Sequence, residues 1–152
     1  MTISSDSELV QFHEGCILVA RPDAKGAWGI GWGHDIQAPL PDEAMPTCTQ
    51  EQADAWLASD LGLARQRAAV EVGGALVWNF LGDVRRAVLT DMAYELGGVG
   101  LSLFKNMLME VKAQRYIAAA EAGMQSLWAE QVPSRAKMDM NMMASGQWPI
   151  VS

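Results

Sequence analysis

Two carboxylates stand nine positions apart in a short, glycine-dense stretch of this chain. Glu14 ends an apolar segment, and Asp23 lies inside Pro22-Asp23-Ala24-Lys25-Gly26. A carboxyl buried beside apolar neighbours can stay protonated and act as an acid, because burial disfavours its charged form. A second carboxyl at a fixed separation can handle water or stabilise an oxocarbenium-like centre, the division of labour that glycoside hydrolysis uses. Asp23 also suits a turn on its own account, since aspartate bonds nearby backbone amides; the two roles are compatible. The segment that follows, Trp28-Gly29-Ile30-Gly31-Trp32-Gly33-His34, alternates glycine with larger residues. Glycine weakens a strand, so such alternation makes sense where a ligand or another backbone comes close. Trp32, beside those glycines, could equally stack on a sugar ring or pack in a core.

The elements that must hold these residues are legible in outline. Asp6 or Ser7 can cap a short helix over 6–13, whose apolar Leu9, Val10 and Phe12 lead to Glu14. Residues 17–19 read as extended, and Trp28 to Trp32 as the returning strand of a hairpin across the 22–26 turn. A Pro-rich loop is expected over 35–48. Thr49-Gln50-Glu51-Gln52 is a capping box, opening a long helix over 49–72 with Ala53, Trp56, Leu57, Leu61 and Ala64 at helical spacing. Further helices are predicted over about 83–96, 102–110, 116–124 and 134–144, punctuated by Gly97-Gly98, Gly123 and Gly146. The fold class is therefore α+β and mostly helical. Residues 1–152 are expected to form one domain: a small lobe over roughly 13–48, the connecting helix, and a larger all-helical lobe over roughly 62–152. The N-terminal helix is expected to pack on the larger lobe.

Composition removes several function classes. Eleven basic against eighteen acidic residues give a net charge of -7, which excludes nucleic acid as the main partner, because phosphate binding needs clustered Lys and Arg. Cys16 and Cys48 are too few for a disulfide framework and read as free thiols. His13 and His34 each precede an acid, yet too few further ligands are in view for a metal site, so no metal and no cofactor are expected. His34 is expected to close the glycine segment by a hydrogen bond, with Asp60 as partner. Met138, Met140, Met142 and Met143 read as core filler, and Arg85-Arg86 as a structural pair at a helix start. No apolar run reaches the roughly 18 residues of a spanning helix, and the first residues lack the pattern of a secretion signal. A soluble monomer without membrane insertion, made in a host cytoplasm, is the expectation.

The stretch from Glu14 to His34 closely resembles the active-site segment of the phage-type lysozymes, glycoside hydrolase family 24. Asp83-Val84-Arg85-Arg86-Ala87, Tyr94-Glu95-Leu96-Gly97, Phe104-Lys105-Asn106, Ser126-Leu127-Trp128 and Pro133-Ser134-Arg135-Ala136-Lys137 with Gly146-Gln147-Trp148 resemble further family segments, in the same order. The resemblance implies a two-lobed lysozyme with its cleft between the lobes. The implied reaction is hydrolysis of the β-1,4 bond between N-acetylmuramic acid and N-acetylglucosamine in bacterial peptidoglycan, by an inverting route. It makes Glu14 the catalytic acid, Asp23 the second acidic residue, Arg135 the arginine that approaches Glu14, and Tyr94 a wall of the saccharide cleft. Glu95, next to Tyr94, either faces the cleft too or is an exposed helix-end residue. The family's third triad position carries Thr, and here it is Gly29. That departure keeps two alternatives open: a lytic transglycosylase, which uses one acid and no water, or a peptidoglycan-binding protein with impaired turnover.

Overall fold

The computed structural model describes residues 2–152. Eight helices and three strands are present among them, in an α+β arrangement that is mostly helical. Helix α1 (Asp6–Glu14) starts at Ser5, whose side chain accepts from the Glu8 amide, and stops at Gly15, with φ 66°. The cap thus lies one residue before Asp6 and two before Ser7, the expected candidates. Several cap-competent residues run together here, and sequence alone does not rank them. Strands β1 (Ile17–Pro22), β2 (Trp28–Gly31) and β3 (His34–Ile36) form an antiparallel sheet in the order β1-β2-β3. The third strand takes the first residues of the expected 35–48 loop; Gly29 pairs with Asp35 and Ile30 with His34.

Helix α2 (Gln50–Glu71) begins at the expected capping box, with the Thr49 and Gln52 side chains satisfying each other's amides. It turns off through Gly73 and Gly74, both at positive φ. Two short helices escape sequence reading: α3 (Ala75–Phe80) and α7 (Leu127–Gln131). Helix α4 (Gly82–Ser102) runs through a break at Gly97, with φ 74° and ψ 173°, so the expected Gly97 boundary is real although helical turns resume at once. Helices α5 (Lys105–Lys112), α6 (Tyr116–Met124) and α8 (Pro133–Ser145) complete the chain. The α6 bounds match expectation; α5 begins three residues later than expected.

The main core lies among the helices that follow α2. Leu89, Met92, Leu101, Met107, Met140, Met142 and Met143 are fully buried there, and Leu9 of α1 joins them. Each such side chain contributes roughly 1.5–3 kcal/mol by leaving water. A smaller cluster of Val10, Leu57 and Leu61 sits between α1 and α2, with Trp32 and Tyr94 packed on it. Helix α1 therefore presents Leu9 to one core and Val10 to the other, which fixes the direction in which Glu14 points. Arg85 is structural as expected: it donates to the Met143 and Ala144 carbonyls and lies 3.7 Å above the Tyr116 ring.

Candidate active site

A cleft of about 330 Å³ opens between the sheet, the end of α1, the Tyr94–Glu95 turn of α4 and the start of α8, lined by Glu14, Asp23, Gly29, Tyr94, Glu95 and Arg135 among others. Six positions singled out in the sequence thus converge on one surface, although up to 121 residues separate them.

Glu14 ends α1 where Gly15 breaks the helix, so its side chain projects past the last turn. Its side chain keeps 20% of its accessible surface, and Oε1 accepts from Arg135 Nη1 at 2.8 Å. Gly33, at φ 76°, forms the opposite wall: a Cβ there would lie 2.5 Å from Glu14 Oε2. This explains one glycine of the alternating run, since no side chain fits between that backbone and the acid. Burial raises the Glu14 pKa above the ordinary glutamate value; Arg135 opposes this, and Asp91 and Glu95 add to it. Burial is the largest of these effects, which favours the protonated carboxyl an acid catalyst needs.

Arg135, near the start of α8, is the hub. Its Nε and Nη2 donate to both oxygens of Asp91 at 2.9 and 2.8 Å, while Nη1 holds Glu14. Its Nε also lies 3.4 Å from Glu95 Oε1. The planar fork suits this bidentate geometry, which a lysine could not reproduce. Glu95 does reach the cleft; its Oε1 accepts from Trp128 Nε1 at 2.7 Å, which anchors it between Arg135 and the core.

Asp23 is held differently. Its Oδ1 accepts from the Lys25 and Ala27 amides at 2.8 and 3.0 Å, an aspartate turn on the exposed hairpin tip. Its other oxygen makes no hydrogen bond among the described residues, and Asp23 lines the cleft. Gly29 adopts ordinary strand geometry, and a Cβ on it would meet nothing nearer than the His34 carbonyl at 3.5 Å. A Cβ is therefore accommodated at this position.

Trp32 is not brought to the cleft. Gly31, at φ 67°, breaks the strand's alternation just before it, and the indole packs on Val10, Leu57 and Leu61 with Nε1 donating to Asp54 at 2.8 Å. The cleft tryptophan is Trp28. Tyr94 lines the cleft and donates its hydroxyl to the Trp32 carbonyl, tying α4 to the sheet. Burial, then nearby carboxylates, raises its pKa, so it remains a neutral donor. His34 Nδ1 meets Asp60 at 2.7 Å as expected, and stacks on Trp56 at 4.6 Å. That stacking leaves Trp56 half-buried rather than in the core. Sequence reasoning missed Asp35 and Arg21 at the cleft edge. It also missed the fully buried Asp91 and Asp139 behind Arg135. Asp91 carried a signal, an acid in the run from Ala87 to Ala93 that is apolar apart from Thr90 beside it.

His13, Asp91 and Asp139 place one ligand-type atom each within 4.8 Å of one another, so converging metal-ligand types exist where none were expected. Asp91 is already bound by two guanidinium hydrogen bonds, and a second cation would meet the Arg135 charge.

The sequence profile described as phage lysozyme matches residues 11–137, a span containing every cleft residue named above. The chain belongs to the phage lysozyme family. Two relatives from Dictyostelium discoideum, probable T4-type lysozymes 1 and 2, are 20% and 21% identical over 95% of this chain and 96% of theirs. The pre-baseplate central spike protein Gp5 of Enterobacteria phage T4 is 27% identical over 87% of this chain, which covers 26% of that protein. Family membership supports lysozyme activity, the hydrolysis of peptidoglycan, in general terms. None of the described helices is long and apolar enough to cross a membrane.

Proposed function

We propose that this protein is a muramidase that cleaves the β-1,4 bond between N-acetylmuramic acid and N-acetylglucosamine, with Glu14 as general acid. The observation that carries this reading is the Glu14 environment: a cleft-facing carboxyl, largely desolvated, raised in pKa and oriented by a fixed guanidinium. Glu14 protonates the leaving glycosidic oxygen. Asp23, exposed on the facing hairpin, orients the attacking water or offsets positive charge at the anomeric carbon. Arg135 positions Glu14, and Tyr94, Glu95 and Trp28 contribute cleft walls that fit a saccharide chain. In this reading the chain is one domain whose two lobes supply the two faces of the cleft.

One specific feature favours a second reading. Gly29 supplies no hydroxyl to hold water, and transglycosylase chemistry, which closes an anhydro sugar with a single acid, needs none. One assay separates the readings: clearing of purified peptidoglycan by the native chain beside Glu14→Gln, with mass analysis of the released fragments. Clearing that is lost in the variant, with reducing ends released, is the expected result. Anhydro ends would establish the transglycosylase. Binding without clearing by either protein would reduce the chain to a wall binder.

A further inference from the structure

Behind the cleft lies a buried polar cluster in which His13, Asp91 and Asp139 have no part in the hydrolytic scheme. Helix α1 contributes His13 and Glu14, α4 contributes Asp91 and Glu95, and α8 contributes Arg135 and Asp139. Four carboxyls therefore surround one guanidinium. Arg135 directs its donors to Asp91 and Glu14 and approaches Glu95, and makes no hydrogen bond to Asp139. Asp139 is fully buried. Its Oδ1 lies 3.2 Å from His13 Nε2, and its Oδ2 has no hydrogen-bond donor among the described residues. An ionised carboxylate with a bare oxygen in a dry interior is costly, and such groups normally neutralise instead.

We propose that Asp139 stands as the neutral carboxylic acid, its Oδ2–H turned to Asp91 and its Oδ1 accepting from neutral His13, and that it acts as a positioning residue for the Asp91–Arg135–Glu14 chain. This arrangement gives the orphaned oxygen a partner: the Asp91 and Asp139 carboxyls are neighbours, with oxygens within 4.8 Å of one another, and a side-chain hydrogen bond to Asp91 is among the interactions that favour the protonated Asp139. It adds no buried charge. Burial, followed by the Asp91 charge, raises the Asp139 pKa well above the aspartate value. Burial also lowers that of His13, which disfavours the alternative ion pair of imidazolium and carboxylate. A donor from Asp139 steadies one side of Asp91, which in turn grips two of the three Arg135 nitrogens. The remaining nitrogen is the one that holds Glu14. The positioning role rests on the reading of Glu14 as the acid; the protonation state of Asp139 does not.

The test uses the full chain labelled with ¹³C at its Asp and Glu side-chain carboxyls, followed by nuclear magnetic resonance and thermal melting against pH. One aspartate resonance, identified by its loss in Asp139→Asn, is expected to stay at the protonated position through neutral pH. The asparagine can donate to Asp91 and accept from His13, so that variant should fold and leave the Glu14 titration midpoint in place. A carboxyl that must take up a proton to fold costs stability as pH rises above its unfolded value. The melting temperature of Asp139→Asn should therefore gain on the native chain from pH 4 to pH 8. In Asp139→Ala, Asp91 loses its donor and draws Arg135 from Glu14, so the Glu14 midpoint should move upward. An Asp139 resonance in the ionised position at pH 7, or a melting point of Asp139→Asn that falls behind as pH rises, overturns the neutral acid. A zinc titration that shifts the His13 ring resonances overturns it too, in favour of a cation site. A Glu14 midpoint that stays put in folded Asp139→Ala overturns the positioning role. None of these readouts requires turnover, so failure of the muramidase assay is a separate result.

Discussion

The two sides of the cleft are built on opposite principles. On the helical side, Glu14 is largely desolvated, and the guanidinium that holds it is only 10% exposed and clamped to a carboxylate with no exposure at all. On the hairpin side, Asp23 sits at an exposed tip, its position set by two backbone amides within four residues. One carboxyl is placed by contacts spanning 121 residues, and the other by a local turn. The difference matches the role proposed for each group. An acid with a raised pKa must be kept from water by tertiary structure, whereas a carboxylate that handles water must remain beside it.

The most damaging break in this contrast is Arg135→Gln. It leaves Asp91 buried without its bidentate partner, and losing one member of a buried pair costs about 3–5 kcal/mol. Thermal unfolding should show a large fall in melting temperature. In the fraction that stays folded, removing the charge that holds the Glu14 pKa down lets burial act unopposed. The alkaline limb of kcat/KM then moves to higher pH. Because Glu14 is harder to ionise folded than unfolded, its contribution to stability falls as pH rises through the carboxyl range, more steeply in the variant. A melting temperature close to that of the native chain would mean that Asp91 finds another partner and that the helical side is not built around this hub.

Asp23→Asn probes the other side with little structural cost. The amide oxygen can still accept from the Lys25 and Ala27 amides, so stability should stay within about 0.5 kcal/mol. Peptidoglycan hydrolysis should nonetheless fall on the order of 100-fold, because the charge that handles water is gone. Unchanged hydrolysis would reduce Asp23 to a turn residue and leave Glu14 working alone.

The same division explains what the sequence made legible. Local signals read well: the Thr49–Gln52 capping box and the turn around Asp23 both lie within a few residues of the groups they satisfy. Signals that depend on distant partners read poorly. Strand β3 is three residues long and exists because β2 pairs with it. Trp32 follows the positive-φ Gly31, so period-two reasoning sends it to the same face as Trp28, while the structure turns it into the α1–α2 cluster. Asp91 and Asp139 are separated by 48 positions of sequence, and nothing local marks them as neighbours. Glu14 and Asp23 are legible from their type and spacing, whereas Arg135 and Tyr94, with Glu95 beside it, are reached through family resemblance, which carries non-local information that spacing does not.

The gentlest change sharpens the contrast instead of breaking it. Gly29 lies between the two sides, and its backbone is compatible with any residue, since a Cβ meets only the His34 carbonyl at ordinary contact distance. Gly29→Thr should add about 0.5–1 kcal/mol of stability, because glycine weakens a strand and a β-branched residue suits one. If Asp23 shares the handling of water, the new hydroxyl gives it a partner, and release of reducing ends should rise several-fold while Glu14→Gln in the same background abolishes it. A stabilised variant with unchanged or lower hydrolysis would show that the missing hydroxyl is no deficit in this cleft. Asp23 alone would then define the water side, or the bond would be broken without water, as anhydro products would report.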